Sequence, residues 1–262
     1  MHQDLRRDFS LDGRVAVITG GGSGIGQASA AVLAEAGAKL VLCDLNETGL
    51  AETAAMVEER GSRAVIRRVD VSSRDAVEAL AETALRELGR VDVWVNCAAT
   101  VTWNSILEVT EAEIDRQIAV NVKGVYWGCA AAARAMAQSG GGSIVNFSSS
   151  GADFPSPGIS VYSMTKAAVN ALTRACAVEF GPQGIRVNAI GPGYTYTPMT
   201  RAAKEPDPAR REEMIRSMSK NVPLGYTAVP RDQALAVLYL ASDASRFVTG
   251  QVLRPNGGTF ML

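Results

Sequence analysis

The sequence predicts an α/β protein, a single doubly wound domain with a parallel sheet and helices on both of its faces. Three observations predict it. Short runs rich in Val, Ile and Leu alternate along the whole chain with alanine-rich stretches of helical period. The strand-like runs are apolar at successive positions, as strands buried on both faces require. A glycine-rich segment, Thr19 to Gly26, joins the first apolar run to the first helical stretch. With 262 residues, no linker and no internal repeat, one domain over 13–262 accounts for the chain, after a mobile tail over 1–12.

The elements follow in order. Arg14 to Thr19 reads as a strand that ends in glycines, and Ile25 to Ala36 as a helix stopped by Gly37. Lys39 to Asp44 is a second strand and Glu47 to Arg60 a second helix. Arg63 to Val69 and Arg74 to Leu88 repeat the unit, and Val91 to Asn96 is a fourth strand. A long helix is predicted over Asp115 to Gln138, then a strand over Ser143 to Ser148 and a helix over Val161 to Phe180. Arg186 to Ile190 is a sixth strand, Arg231 to Ala241 a helix, and Gln251 to Leu253 a last strand. The stretch 194–227 reads as irregular with short helices. Its prolines Pro198, Pro206 and Pro208 and its mixed charges, Arg201 among them, suit a substrate lid over about 195–227.

Composition excludes several classes. The net charge is -1 and no basic block favours nucleic acid or a membrane surface. The polar amino end lacks the apolar core of a signal peptide, and no run is long enough to span a membrane, so a cytoplasmic protein is expected. Cys43, Cys97, Cys129 and Cys176 are in no CxxC spacing, and small apolar packing is their commonest role. The only histidine is His2. That disfavours a Ser-His-Asp triad, a Cys-His pair and a histidine-ligated metal, and no metal is expected.

Glycines alone are ordinary turn formers, but between a strand and a helix they permit a tight turn and close approach to a pyrophosphate. The helix amino terminus then offers free N–H groups. Asp44 ends the second strand, where a carboxylate accepts both adenosine ribose hydroxyls of NAD and repels the 2′-phosphate of NADP. Neither Leu45 nor Ser23 supplies a cation for that phosphate. An Asp there can equally cap the helix that follows. Downstream, Tyr162 and Lys166 share a helix face at i, i+4 spacing, with Ser149 ahead of them. A phenol near pKa 10 is a poor base, and a neighbouring ammonium lowers that value. Loop and pair together point to hydride transfer between a nicotinamide cofactor and a carbonyl or alcohol carbon.

These motifs make the chain resemble the short-chain dehydrogenase/reductase family across nearly its whole length. Thr19 to Gly26 fits TGxxxGxG, so Gly20, Gly22, Ser23, Gly24, Ile25 and Gly26 are the implied phosphate loop. Asp70-Val71 matches the pair that faces adenine, and Asn96-Cys97-Ala98-Ala99 stands where NNAG is usual. Asn121 matches the family's helix-kinking, water-anchoring asparagine. Ser149, thirteen residues before Tyr162, matches its catalytic serine, and Tyr162 to Lys166 is YxxxK. Pro192-Gly193 lies beside the nicotinamide, with the Thr195 backbone and Thr197 following. The resemblance implies a Rossmann fold with strand order 3-2-1-4-5-6-7, NAD as cofactor and a homotetramer. It implies Tyr162 as proton carrier, Lys166 as its activator and ribose ligand, and Ser149 as the group that positions the substrate oxygen. Ala99 for Gly, Thr195 for an aliphatic residue and Asn256 for Asp depart from the pattern without removing a catalytic group.

A secondary alcohol and its ketone are the expected substrate pair. A 3-oxoacyl-carrier-protein reductase is the runner-up, disfavoured by Asp44 and by Val178 where such reductases have Arg. A catalytically silent NAD sensor is disfavoured because Tyr162 and Lys166 are both present. Trp103, Ser150, Gly151, Asp153, Phe154, Tyr194, Tyr196 and Met199 are candidate substrate contacts. Asp153 suits a polyol. Phe154, Trp103, Met199, Met214 and Met218 suit an apolar ligand instead.

Overall fold

The computed structural model describes residues 5–200 and 202–261. His2 and Arg201 lie outside them. The first described residues form α1 (Leu5–Phe9), and Leu11, 2% exposed, donates its N–H to the Ala36 carbonyl at 2.7 Å. The end of the segment expected as a tail is therefore packed on the domain.

The sheet holds β1 (Val15–Thr19), β2 (Lys39–Asp44), β3 (Ala64–Arg68), β4 (Val93–Asn96), β5 (Gly142–Phe147), β6 (Ile185–Ile190) and β7 (Val252–Leu253). All pairings are parallel and the order is β3-β2-β1-β4-β5-β6-β7, as expected. Alternate strand residues feed two cores. Val17, Val41, Trp94, Ile144 and Val187 face α4 (Arg74–Leu88), α6 (Gly124–Ser139) and α7 (Ser160–Phe180). Ala16, Ile18, Leu40, Leu42, Val93 and Val145 face α2 (Gly24–Glu35), α3 (Glu47–Glu58) and α9 (Pro230–Ala241). Two buried faces explain the unbroken apolar strand runs. The order reverses between β1 and β4, and a crevice opens there at the carboxyl ends of the strands.

Two elements differ from the sequence reading. The helix expected from Asp115 begins earlier, as α5 (Glu111–Ile118), because Thr110 and Glu113 form a reciprocal capping box. It continues through a π-helical turn, Ala119–Lys123, into α6. The irregular stretch contains a thirteen-residue helix, α8 (Pro208–Lys220), capped by Asp207 with Pro208 in its first turn. Pro208, one of the prolines counted toward a lid, starts this helix. This segment is clasped at its base. Thr195 and Ala228 form a parallel bridge, Tyr196 donates to the Ala228 carbonyl at 3.0 Å, and Ala228 to the Tyr194 carbonyl at 2.9 Å. Among the described residues, no helix is long and apolar enough to cross a membrane.

Candidate active site

The crevice is a cleft of about 700 Å³. Its floor begins at Thr19, whose Oγ1 accepts the N–H groups of Cys97 and Ala98 at 3.2 Å each and ties the glycine turn to the end of β4. Gly20 has φ +71°, and a Cβ there would stand 2.7 Å from the Ala98 nitrogen. A Cβ on Gly26 would collide with the Gly20 carbonyl. No side chain caps α2 at Ser23, and Ser23, Gly24, Ile25 and Gly26 line the cleft. The first-turn amides of α2 thus lack side-chain partners beside a space that only glycine leaves open, which fits a dinucleotide phosphate.

Asp44, at the end of β2, accepts the N–H groups of Gly22 and Asn46 at 3.0 Å each and lines the cleft with Leu45. Gly22 itself does not line it. A Cβ there would stand 3.1 Å from the Asp44 carboxylate, so Gly22 orients Asp44. Asp70, Val71, Ala98, Ala99, Pro192, Gly193, Thr195 and Thr197 also line the cleft. The Thr195 hydroxyl is used, against expectation. It donates to the Gly193 carbonyl at 3.2 Å and accepts from Gln233 at 3.1 Å. Asn256 bridges too, donating to the Phe260 carbonyl at 2.7 Å and accepting from the Gly258 N–H at 2.9 Å. An Asp could not make the first of these bonds.

Tyr162 and Lys166 stand one turn apart on α7, and both line the cleft with Ser149. Lys166 is 1% exposed, and its Nζ donates to the Phe147 carbonyl at 2.7 Å. Burial lowers this ammonium to about 8. Burial also pushes the Tyr162 phenol up to about 12, against a hydrogen bond with Ser149 that lowers it. The sequence reading had Lys166 depressing the phenol. Here Nζ is 5.5 Å from the centre of the Tyr162 ring and committed to a carbonyl, so desolvation dominates. At pH 7 the phenol is neutral and the ammonium charged. The Ser149 Oγ accepts the Gly151 N–H at 3.0 Å.

Several expected contacts are elsewhere. Asn96 is 3% exposed and turns away from the cleft. Its Oδ1 accepts from Trp94 at 2.8 Å and its Nδ2 donates to Asn146 at 2.9 Å. The Asn121 side chain is used up by the Thr100 N–H and carbonyl, at 2.8 Å each, and by Thr165 at 3.1 Å. It pins the strand-end loop to the π turn and leaves no side-chain atom for the reacting groups. Among the substrate candidates, Trp103, Tyr194 and Met199 line the cleft, joined by Met214 and Met218 of α8. Ser150, Gly151, Asp153, Phe154 and Tyr196 do not line it. Asp153 is held by Arg254 at 2.8 Å, and Phe154 stacks on Phe260 with ring centres 4.4 Å apart. These partners are about a hundred residues away in sequence, beyond the reach of local patterns. Thr100, Val101, Arg116 and Ile159 line the cleft without a motif to announce them, and Cys97 lines it from within the Asn96-Cys97-Ala98-Ala99 motif. Among the described residues, no cluster of His, Cys, Asp or Glu could hold a metal.

A family model described as enoyl-(acyl carrier protein) reductase matches residues 20–259. The chain is 40% identical over 253 residues to the 4-formylbenzenesulfonate dehydrogenase TsaC1/TsaC2 of Comamonas testosteroni, covering 95% of this chain and 99% of that protein. It is 38% identical over 258 residues to the galactitol 2-dehydrogenase (L-tagatose-forming) of Cereibacter sphaeroides, covering 97% and 98%. The crystal structure of a short-chain type dehydrogenase/reductase from Mycobacterium marinum superposes with a TM-score of 0.91 at 33% identity, covering 99% of this chain and 100% of that one.

Proposed function

The chain belongs to the short-chain dehydrogenase/reductase family of oxidoreductases, and from that premise we propose that it interconverts a secondary alcohol and its ketone with NAD(H). The observation that carries this reading is the shared cleft. The uncapped start of α2, the Asp44 carboxylate and the Ser149, Tyr162 and Lys166 side chains all line one space.

The dinucleotide, when bound, supplies the hydride donor or acceptor. The first turn of α2 would hold its pyrophosphate, Asp44 its adenosine ribose, and Lys166 its nicotinamide ribose. Asp44 favours NAD because its charge repels a 2′-phosphate and neither Leu45 nor Ser23, which line the cleft with it, supplies a cation to offset that. In reduction, neutral Tyr162 would donate its O–H proton to the carbonyl oxygen that Ser149 hydrogen-bonds. In oxidation, the ionised phenol would take the alcohol proton. In the ligand-free state burial holds the phenol up near 12, so Tyr162 carries its proton there. Asn121 positions the loop before this site instead of touching the reacting atoms.

Val178 is 81% exposed and offers no charge to an acidic carrier protein, which disfavours a 3-oxoacyl-carrier-protein reductase. With Asp153 bound to Arg254, polyol recognition loses its candidate carboxylate, and the methionines and Trp103 favour a partly apolar substrate. A cytoplasmic homotetramer, with the segment 195–227 acting as a substrate lid, belongs to the same reading. The test is a screen of NADH formation across sugars, polyols, cyclic alcohols and hydroxysteroids. Turnover of one class in wild type and none in Tyr162→Phe supports the proposal; no NAD-linked turnover in either direction overturns it.

A further inference from the structure

We propose that Arg116 is a specificity residue of this cleft, taking an anionic group carried by the substrate at the end remote from the reacting carbon. This rests on the alcohol–ketone reading above and adds the chemical class of the substrate.

Among the described residues, the cations that line the cleft are Lys166 and Arg116. Lys166 is buried and bound to the Phe147 carbonyl. Arg116, on α5, is exposed, and among the described residues its guanidinium makes no ion pair or side-chain hydrogen bond. Its natural partner would be Glu113, one turn earlier. Both oxygens of Glu113 are taken: Oε1 accepts from Asn104 at 2.8 Å, and Oε2 from the Thr110 N–H at 2.8 Å and hydroxyl at 3.0 Å. These bonds hold the Glu113 carboxyl below its ordinary value, so it is fully ionised and still turned away from Arg116. The planar fork of five donors is left without a partner among the described residues, on a residue that lines the cleft.

The position of α5 favours substrate over cofactor. The Glu113–Asn104 bond ties the first turn of α5 to the loop carrying Trp103, and the Asn104 N–H donates to the Gly158 carbonyl at 3.0 Å. Gly158 belongs to the loop that leads directly into Tyr162. Arg116 is thus one turn along a helix anchored to the substrate side. The cofactor's phosphates already have the amides of α2 and need no guanidinium. Apolar and aromatic side chains, Val101, Trp103, Ile159, Tyr194 and Met214, line the same cleft. An apolar or aromatic body with a carboxylate, sulfonate or phosphate at its far end matches this arrangement, and bidentate contact with such a group is what a guanidinium does best.

The test compares reduction of 4-acetylbenzoate with that of its methyl ester, by NADH, in wild type, Arg116→Gln and Arg116→Lys. Wild type is expected to prefer the acid. Arg116→Gln should lower kcat/KM for the acid by roughly 10- to 100-fold, mostly through KM. The ester should change far less, the NADH dissociation constant should hold, and Arg116→Lys should recover part of the loss. Calorimetric titration of 4-acetylbenzoate into the enzyme–NADH complex reads the same preference without turnover. Binding that needs Arg116 but gives no reduction would count against the alcohol–ketone reading alone. Binding that is absent or indifferent to the carboxylate, an equal loss for acid and ester, or a loss of NADH affinity in its place would overturn the assignment to substrate.

Discussion

The Nζ of Lys166 and the carbonyl oxygen of Phe147 are 2.7 Å apart at the end of β5, inside the protein. That bond fixes a charged group from α7 under the cleft and keeps it 5.5 Å from the Tyr162 ring centre. The phenol remains near 12 as a result of its own burial.

Tyr162→Phe keeps the ring and removes its proton. Cofactor affinity should hold while turnover falls by about 10²–10⁴-fold. Lys166→Ala should reduce both. In ligand-free protein, tyrosinate absorbance in wild type minus Tyr162→Phe should appear only above pH 10, because burial raises this phenol. NAD binding should move the transition downward. Near-normal alcohol oxidation by Tyr162→Phe would contradict the assigned proton carrier.

Asp44 should set the choice of dinucleotide. Wild type is expected to bind NAD more tightly than NADP at matched ionic strength. Asp44→Ala with Leu45→Arg should reverse the order, each charge-assisted contact being worth roughly tenfold or more. Calorimetry with both dinucleotides checks this, and tighter NADP binding by wild type would refute it.

Asn96 should matter to stability more than to the cofactor. Asn96→Ala would strand the Trp94 indole N–H, fully buried, and take one partner from Asn146. Urea unfolding should lose about 2–4 kcal/mol, with NAD affinity much less affected. The opposite pattern would restore Asn96 to the cofactor site.

Glu35 joins α2 to α9. It accepts from Arg231 at 2.7 and 3.1 Å and from Arg60 at 3.0 Å, and these guanidinium bonds bring its carboxyl from 4.5 to about 2. A carboxyl lowered on folding stabilises above its unfolded value and loses that contribution as pH falls through the folded one. Its side chain is 36% exposed, so water screens the bonds. Glu35→Gln should therefore cost only about 1 kcal/mol at pH 7. The difference from wild type should shrink from pH 4.5 toward 2. A difference independent of pH would point to packing.

The strands and the Tyr162–Lys166 pair were legible in the sequence because both are local, whereas the strand order, which pairs residues as far apart as Ala16 and Val93, came only with the resemblance. Apolar runs and an i, i+4 interval lie within a few residues, and the fold merely repeats them. Asp153 was misread because its partner, Arg254, comes from the far end of the sheet. Asn96 was misread because a short motif does not say which way a strand-end side chain turns; here Trp94 and Asn146 draw it inward. The length of α8 was not legible, because the Asp207 cap that makes Pro208 a helix start is a matter of geometry. Arg116 belongs to no motif, and its unpaired state follows only once Glu113 is seen bonded to Asn104 and Thr110.

The clasp at Tyr194, Tyr196 and Ala228 has a consequence for engineering. The chain pinches together at Thr195 and Ala228 before α9, with a second anchor where the Leu224 N–H donates to the Gly257 carbonyl at 3.1 Å, so most of what it encloses, α8 included, is a cassette. Its length and composition can be exchanged without moving β6, α9 or the α7 helix that bears Tyr162. Chimaeras joined within 197–226 should keep the catalytic frame while inheriting the donor's taste in substrates, and this scaffold can be diversified by swapping one insert instead of redesigning a pocket.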